Sequence, residues 1–288
     1  MKKQQIKIAI AALIVLNIIT ITLLLIAVYN NKETVAMVGD DAISRKDWIS
    51  EMEARYGEKT LKEMIDEKII ERLAKKYDIS ISEKDIEREF LRLKTSAYLH
   101  EENHEEEKLK QKIKNSLLLE ELLTKDVVIS KKAIQKYYEE NKDEFRFPAS
   151  YHLSQIVVKT KKEAEQTVKE LQQGSSFSAL AMERSIDSFS ASQGGDIGYV
   201  TEEEERLPGH IMKKIKHLKP KQWTNPMKMD GNYVIFLLHE NIPEKNYPFS
   251  EVRSQIRRQL ALEQLEQPLT ADVFWNEEDV DWIYGDKN

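Results

Sequence analysis

The chain contains no cysteine. Disulfides, thiolate metal sites, a cysteine nucleophile and a lipid-modified cysteine anchor are therefore all excluded. A basic surplus is also missing, since 44 Lys and Arg stand against 50 Asp and Glu, for a formal net charge of −6. With a pI near 5.7, no excess of cations is left to neutralise phosphates, which excludes nucleic acid as a partner. What is present is enough for a folded core. Hydrophobic residues supply 41% and charged residues 33%, at a mean hydropathy of −0.56, so global disorder is excluded. The 288 residues suggest roughly two domains.

One segment departs from this polar average. Residues 8–29 read IAIAALIVLNIITITLLLIAVY, 22 residues without a formal charge. As a helix rising ~1.5 Å per residue, the run spans about 33 Å, enough for the hydrocarbon core of a bilayer. Lys2, Lys3 and Lys7 precede it, so the positive-inside rule places residues 1–7 in the cytoplasm and the bulk outside. A cleaved signal peptide is the competing reading. The run is longer than a signal-peptide core and Val28-Tyr29-Asn30 offers no small-x-small cleavage pattern, which favours an uncleaved signal anchor in the cell membrane.

Beyond the anchor the composition changes twice. From about Val35 to Phe145 the chain is charge-rich, almost free of Gly and Pro, and reads as helical. Ser44, Ser82 and Ser130 each stand where a helix N-cap is expected, and Gly57 where the first helix stops. From Phe147-Pro148 the pattern becomes mixed. Tyr151–Val158 has strand composition, Thr160 and Glu163 form a capping box, and Gly174 closes the helix they open. A short helix around Phe177, a Ser/Gly loop over 188–195, a strand over 196–200 and a helix after Pro208 follow. Asp230-Gly231 then marks a hairpin turn. After Pro243 one more amphipathic helix runs through Val252, Ile256, Leu260 and Leu265, and it needs a surface to pack on, the N-terminal helical lobe. The expected organisation is 1–7 cytoplasmic, 8–29 anchor, 30–146 helical region, 147–242 α+β domain, and 243–288 C-terminal helix and tail.

His100-Glu101-Glu102-Asn103-His104 fits the H-E-x-x-H zinc signature. That chemistry needs both histidines on one face of a buried helix and a third ligand. The flanks are Glu-rich with no apolar face, so the motif reads as a solvated charged turn and no metal site is expected. Asp196 reads as a turn residue, and His152, His210, His217 and His239 as scattered structural or exposed residues.

The α+β segment resembles the parvulin family of peptidyl-prolyl cis/trans isomerases. The resemblance rests on Gly174, Phe177 and Leu180-Ala181, then Ser185-x-Asp187-Ser188, and above all Ser190-Ala191-Ser192-Gln193-Gly194-Gly195-Asp196-Ile197-Gly198. It continues through Leu218-Lys219-Pro220 and Asn225-Pro226 to Gly231-Asn232-Tyr233-Val234-Ile235, covering about Pro148 to Asn241. The flanks, Val35 to Tyr77 and Tyr137-Tyr138-Glu139-Glu140-Asn141, are similar to the PrsA/SurA class of extracytoplasmic foldases.

The resemblance implies an α+β parvulin domain with a four-stranded antiparallel sheet, inserted in or next to an all-α chaperone lobe. It implies membrane-anchored prolyl isomerisation that assists folding of unfolded or extended exported proteins with X-Pro bonds. It places the two network histidines of the family on Gln155 and Tyr233, its acidic position on Asp187, and its proline cup on Val200, Leu207 and Ile211. The rotation needs no nucleophile, metal or cofactor. An enzyme has only to bind the twisted peptide better than either planar isomer. Gln and Tyr both donate and accept hydrogen bonds, so such a network works without titrating. The alternative is a catalytically inactive parvulin-fold chaperone that binds extended client segments, and a metalloprotease at His100 and His104 is a third, disfavoured reading.

Overall fold

A computed structural model describes residues 13–24, 33–96, 106–265 and 268–285. The chain divides into two units, residues 1–69 with 271–288, and residues 70–270.

In the first unit, residues 13–24 are helical and their large apolar side chains, Leu13, Leu16, Leu23 and Leu24 among them, are exposed. At ~1.5 Å per residue this described stretch covers only about 18 Å, short of a bilayer core. Among the described residues no helix is long and apolar enough to cross a membrane. The remainder of the expected 8–29 span, and the His100–His104 motif, lie outside the described residues.

The expected helix near Val35 is instead an antiparallel hairpin, β1 (Thr34–Val38) with β2 (Asp41–Ser44). Its alternating β-branched and small residues suit paired strands, and Gly39 supplies a positive φ in the turn. Ser44 caps α1 (Arg45–Met52), its hydroxyl accepting from the Asp47 N–H at 3.1 Å. Gly57 does not stop the helix. It lies in a π-helical stretch, Glu53–Gly57, that leads directly into α2 (Glu58–Lys76). The tail packs on α2, where Trp275 Nε1 donates to Asp66 at 2.7 Å and Lys62 pairs with Asp272.

The second unit joins a helical lobe to the α+β domain. Helices α3 (Glu83–Ser96) and α4 (Glu106–Thr124) bury Ile86, Phe90, Ile113 and Leu117 together. Helix α5 (Lys131–Glu140) buries Ile134 against Phe145, Tyr247, and Val252 and Ile256 of α9 (Phe249–Leu262). Arg258 of α9, 4% exposed, reaches Glu120 at 2.8 Å and Glu121 at 3.0 Å on α4. The helix that follows the α+β domain thus packs on helices that precede it. Strands β3 (Arg146–Phe147) and β8 (Lys245–Asn246) pair where the chain leaves the lobe and returns, which is the geometry of an insertion.

Within the insertion, β4 (Ser150–Val158), β5 (Asp196–Thr201), β6 (Met227–Met229) and β7 (Asn232–Ile242) form an antiparallel sheet in the order β5-β4-β7-β6. Four antiparallel strands agree with the sequence reading, as does the turn at Asp230-Gly231, where both residues have positive φ. Alternation sends two sets of side chains to opposite faces. Leu153, Val157, Val234, Phe236 and Leu238 face α8 (Gly209–Ile215). Ile156, Val158 and Ile235 face α6 (Lys161–Gln172) and α7 (Phe177–Arg184). The Thr160–Glu163 capping box closes in both directions, at 3.2 and 2.9 Å, and starts α6 where the sequence pattern placed it.

Phe236 is fully buried at the centre of the sheet. Its replacement in Phe236→Ala is expected to destabilise the insertion by about 3–5 kcal/mol in urea unfolding followed by tryptophan fluorescence. Val128→Ala, at a position 92% exposed, is the control and should stay within about 0.5 kcal/mol of wild type.

Candidate functional site

The Ser/Gly loop lies against β4 because two glycines allow it. Gly194 and Gly195 both have positive φ, and a Cβ on Gly195 would sit 2.3 Å from the Gln155 carbonyl oxygen. With that Cβ absent, the Gln155 N–H donates to the Gly195 carbonyl at 2.7 Å. Just before the loop, Ile186 N–H donates to the Val157 carbonyl at 2.8 Å and Val157 N–H to the Ser185 hydroxyl at 3.1 Å. The loop is therefore stapled to β4 at both of its ends.

This arrangement brings Asp187 to Gln155. The Gln155 amide nitrogen donates to Asp187 Oδ2 at 2.8 Å, and the Ser190 hydroxyl donates to the same oxygen at 2.5 Å. Burial by itself raises the Asp187 carboxyl, but hydrogen bonds from Ser190, Gln155 and the N–H groups of Phe189 and Ser190 outweigh it. The net effect holds Asp187 below the usual carboxylate range, ionised at neutral pH.

The cup positions gather on the same face of the sheet as Gln155, which is paired with Phe236 across β4 and β7. Val200 and Ile211 are fully buried among Leu153, Phe236 and Leu238, so they form the floor of that face. Leu207, partly buried against the same cluster, keeps a surface open to solvent. Tyr233 is not brought to this group. It pairs with Val158, an odd number of residues along from the Gln155–Phe236 pair, and packs on the opposite face with Ile156 and Ile235.

A second polar group stands at the other end of β4. His152 Nε2 lies 3.1 Å from Asp196, and His239 Nε2 lies 2.7 Å from the Ser154 hydroxyl, with the two imidazole centroids 4.8 Å apart. His152 also stacks on Tyr199, whose hydroxyl donates to Glu240 at 2.7 Å, and Glu240 receives the Lys94 ammonium of α3 at 2.9 Å. Burial and Glu240 push the Tyr199 hydroxyl strongly upward, so it stays protonated and donates. The two histidines, scattered in the sequence, are neighbours in space because β4 and β7 pair. Asp196 does hold its turn, accepting the Gly198 N–H at 2.7 Å, and it holds His152 as well. Sequence reasoning also passed over Ser190 as a functional residue, since nothing in a Ser-rich loop marks which hydroxyl is buried.

The helical lobe carries a cavity of about 950 Å³. Leu93, Leu109, Ile113 and Leu262 line it together with the charged Arg92 and Glu144. Among the described residues no group of three or more His, Cys, Asp or Glu is arranged to hold a metal ion.

The family described as PPIC-type PPIASE domain matches residues 129–254. YacD of Bacillus subtilis, which carries the name of a peptidyl-prolyl cis-trans isomerase, is 40% identical over 259 residues, covering 89% of this chain and 87% of that protein. The foldase protein PrsA of Geobacillus kaustophilus is 29% identical over 235 residues, covering 79% of this chain and 77% of that one. Among solved structures, PrsA from Bacillus subtilis aligns with a TM-score of 0.34 at 22% identity, covering 89% of this chain and 96% of that one. With 40% identity to YacD over nearly nine-tenths of its length, and the domain match around its inserted sheet, the chain belongs to the PPIC-type, or parvulin, family of peptidyl-prolyl cis-trans isomerases.

Proposed function

We propose that the chain is a membrane-anchored extracytoplasmic foldase that accelerates cis/trans isomerisation of X-Pro bonds in exported proteins through Gln155 and Asp187, above an apolar floor of Val200, Leu207 and Ile211. The single observation that carries this reading is the Gln155–Asp187 hydrogen bond, 2.8 Å, on the sheet face that also holds those three side chains. An uncatalysed X-Pro bond turns in roughly 10–100 s at 25 °C, over a barrier of about 20 kcal/mol. Lowering that barrier requires only that the twisted peptide be held better than the planar one. A polar pair fixed before the client arrives does so without paying for reorganisation during the rotation. Tyr233, on the opposite face, supports the sheet and stands outside this step.

The names of the PrsA relatives support the foldase role, and the run at 8–29 behind Lys2, Lys3 and Lys7 supports the anchor and its orientation. A second reading, a chaperone that binds extended clients without catalysis, draws on the 950 Å³ cavity of the helical lobe.

The two readings separate by NMR exchange on X-Pro peptides, using the full chain in detergent micelles. Acceleration is expected from wild type, with a loss of about tenfold or more in kcat/KM, ~1.4 kcal/mol, for Asp187→Ala. Peptide shifts that report binding without any exchange would establish the chaperone reading instead.

The pH dependence is a separate expectation. A carboxylate held below its unfolded value contributes stability that is present above that value and is lost as pH falls through the folded one. Asp187 therefore stays ionised, and the isomerisation rate should be flat from about pH 5.5 to 8. Gln155→His introduces an imidazole that titrates near 6.5, so its rate should vary with pH across about 6–7. A wild-type rate that itself titrates there would place a histidine in the catalytic network.

For the anchor, full-length protein is expected to float with phospholipid vesicles and resist carbonate extraction. Deletion of residues 8–29 should leave it at the bottom of the gradient, and flotation of that deletion would refute the anchor.

A further inference from the structure

Ser190 is 3% exposed, although Ser188, Phe189, Ser192 and Gln193 around it are open to solvent. Each of its polar groups has a partner. The hydroxyl donates to Asp187 Oδ2 at 2.5 Å, and the N–H points to the same carboxylate. The carbonyl accepts from Gly195 N–H at 2.8 Å and from Gln193 N–H at 2.9 Å. Gly195 in turn accepts the backbone N–H of Gln155 at 2.7 Å. A single buried serine thus ties the Asp187 side chain and the Gln155 backbone to one point.

The consequence lies in which end of the Gln155 amide is free. An ionised carboxylate only accepts hydrogen bonds, so the end of the amide facing Asp187 is the nitrogen. The Gln155 oxygen is left facing away, and it has no partner among the described residues. Among the described residues no buried side-chain oxygen or nitrogen lacks a partner, so this oxygen is open to solvent. It is an acceptor. Proline carries no N–H, so the backbone donors that an X-Pro-Y segment offers to an acceptor are the N–H groups of X and Y.

We propose that Ser190 is a positioning residue for isomerisation, which acts through Asp187 to hold the Gln155 amide with its oxygen toward the client, where it accepts a backbone N–H flanking the prolyl bond. This rests on the reading of Gln155 and Asp187 as the catalytic pair. Without the Ser190 hydroxyl, Asp187 loses its second side-chain donor and keeps only the Gln155 amide and backbone N–H groups, so the carboxylate is held less firmly and the amide with it. The accessible face of Leu207, over the buried floor of Val200 and Ile211, is untouched, so the defect falls on turnover rather than on capture.

The test is a cycle on the full chain in micelles, with kcat and KM read separately by NMR exchange. Ser190→Ala is expected to lower kcat about tenfold with KM nearly unchanged, and Ser190→Thr, which keeps the hydroxyl, to restore most of it. Added to Asp187→Ala, the alanine should cost nothing further. A second measurement needs no variant of Ser190. Ester analogues of the peptide, with the N–H of X or of Y replaced by oxygen, should show that one of the two is turned over about tenfold more slowly by wild type. Wild-type kcat in Ser190→Ala, a loss that adds fully to that of Asp187→Ala, or indifference to both esters would overturn the inference while leaving Asp187 and Gln155 in place. Full activity in Asp187→Ala would overturn the catalytic pair and this inference with it.

Discussion

Strand β4 and the Ser/Gly loop meet backbone to backbone at Gly195, at a distance that leaves no space for a single carbon atom. The other features of the site follow from that contact. Because Gly195 lies on the Gln155 carbonyl, the loop cannot lift away, and the Asp187 carboxylate is delivered to the Gln155 side chain. Any L-residue at Gly195 would meet both a positive φ and a backbone clash, two penalties that no neighbouring side chain can relieve by moving. The cost of the constraint is conformational entropy in a loop with little apolar surface of its own, and it is offset by hydrogen bonds along β4 from Ile186 to Gln155.

A site built this way differs from one built on acid–base chemistry. Prolyl rotation moves no proton, so the requirement is a fixed pattern of donors and acceptors beside a dry surface. In the proposed site the Gln155 amide would meet it through an ionised partner, and Asp187 is held ionised without a cation, by the Gln155 amide, the Ser190 hydroxyl and neighbouring backbone N–H groups. The fully buried floor residues, Val200 and Ile211, keep that face rigid, while Leu207 supplies accessible apolar surface. The insertion is itself held at its base by the β3–β8 pair, so the domain is presented from the helical lobe by two adjacent strands rather than by one tether.

Several elements were legible beforehand because their causes are local. The Thr160–Glu163 capping box, the serine caps at Ser44 and Ser130, and the Asp230-Gly231 turn depend on residues three or fewer positions apart, and each stands where the pattern placed it. The errors have local explanations too. The stretch from Thr34 to Ser44 is short and mixed in character, and periodicity cannot separate one turn of helix from one arm of a hairpin at that length. Gly57 reads as a stop, yet the chain absorbs it in a π-helical turn and continues.

The sequence by itself determined the class of the molecule: an acidic, cysteine-free chain with one long apolar run, a helical lobe, and an α+β insertion whose Gly194-Gly195-Asp196 run belongs to the parvulin family. Only the tertiary structure decided which residues lie together. Gln155, Asp187 and Ser190 meet across a loop, whereas Tyr233, matched to the same network by sequence, faces the other way because strand register sets the side of the sheet. His152 and His239 are 87 positions apart in the chain, yet the pairing of β4 with β7 brings their rings to 4.8 Å between centroids, tilted by 38°. Composition, caps and turns are short-range properties that any stretch of chain carries with it. Facing and proximity arise from long-range strand pairing, where a shift of one residue exchanges every inward side chain for its outward neighbour.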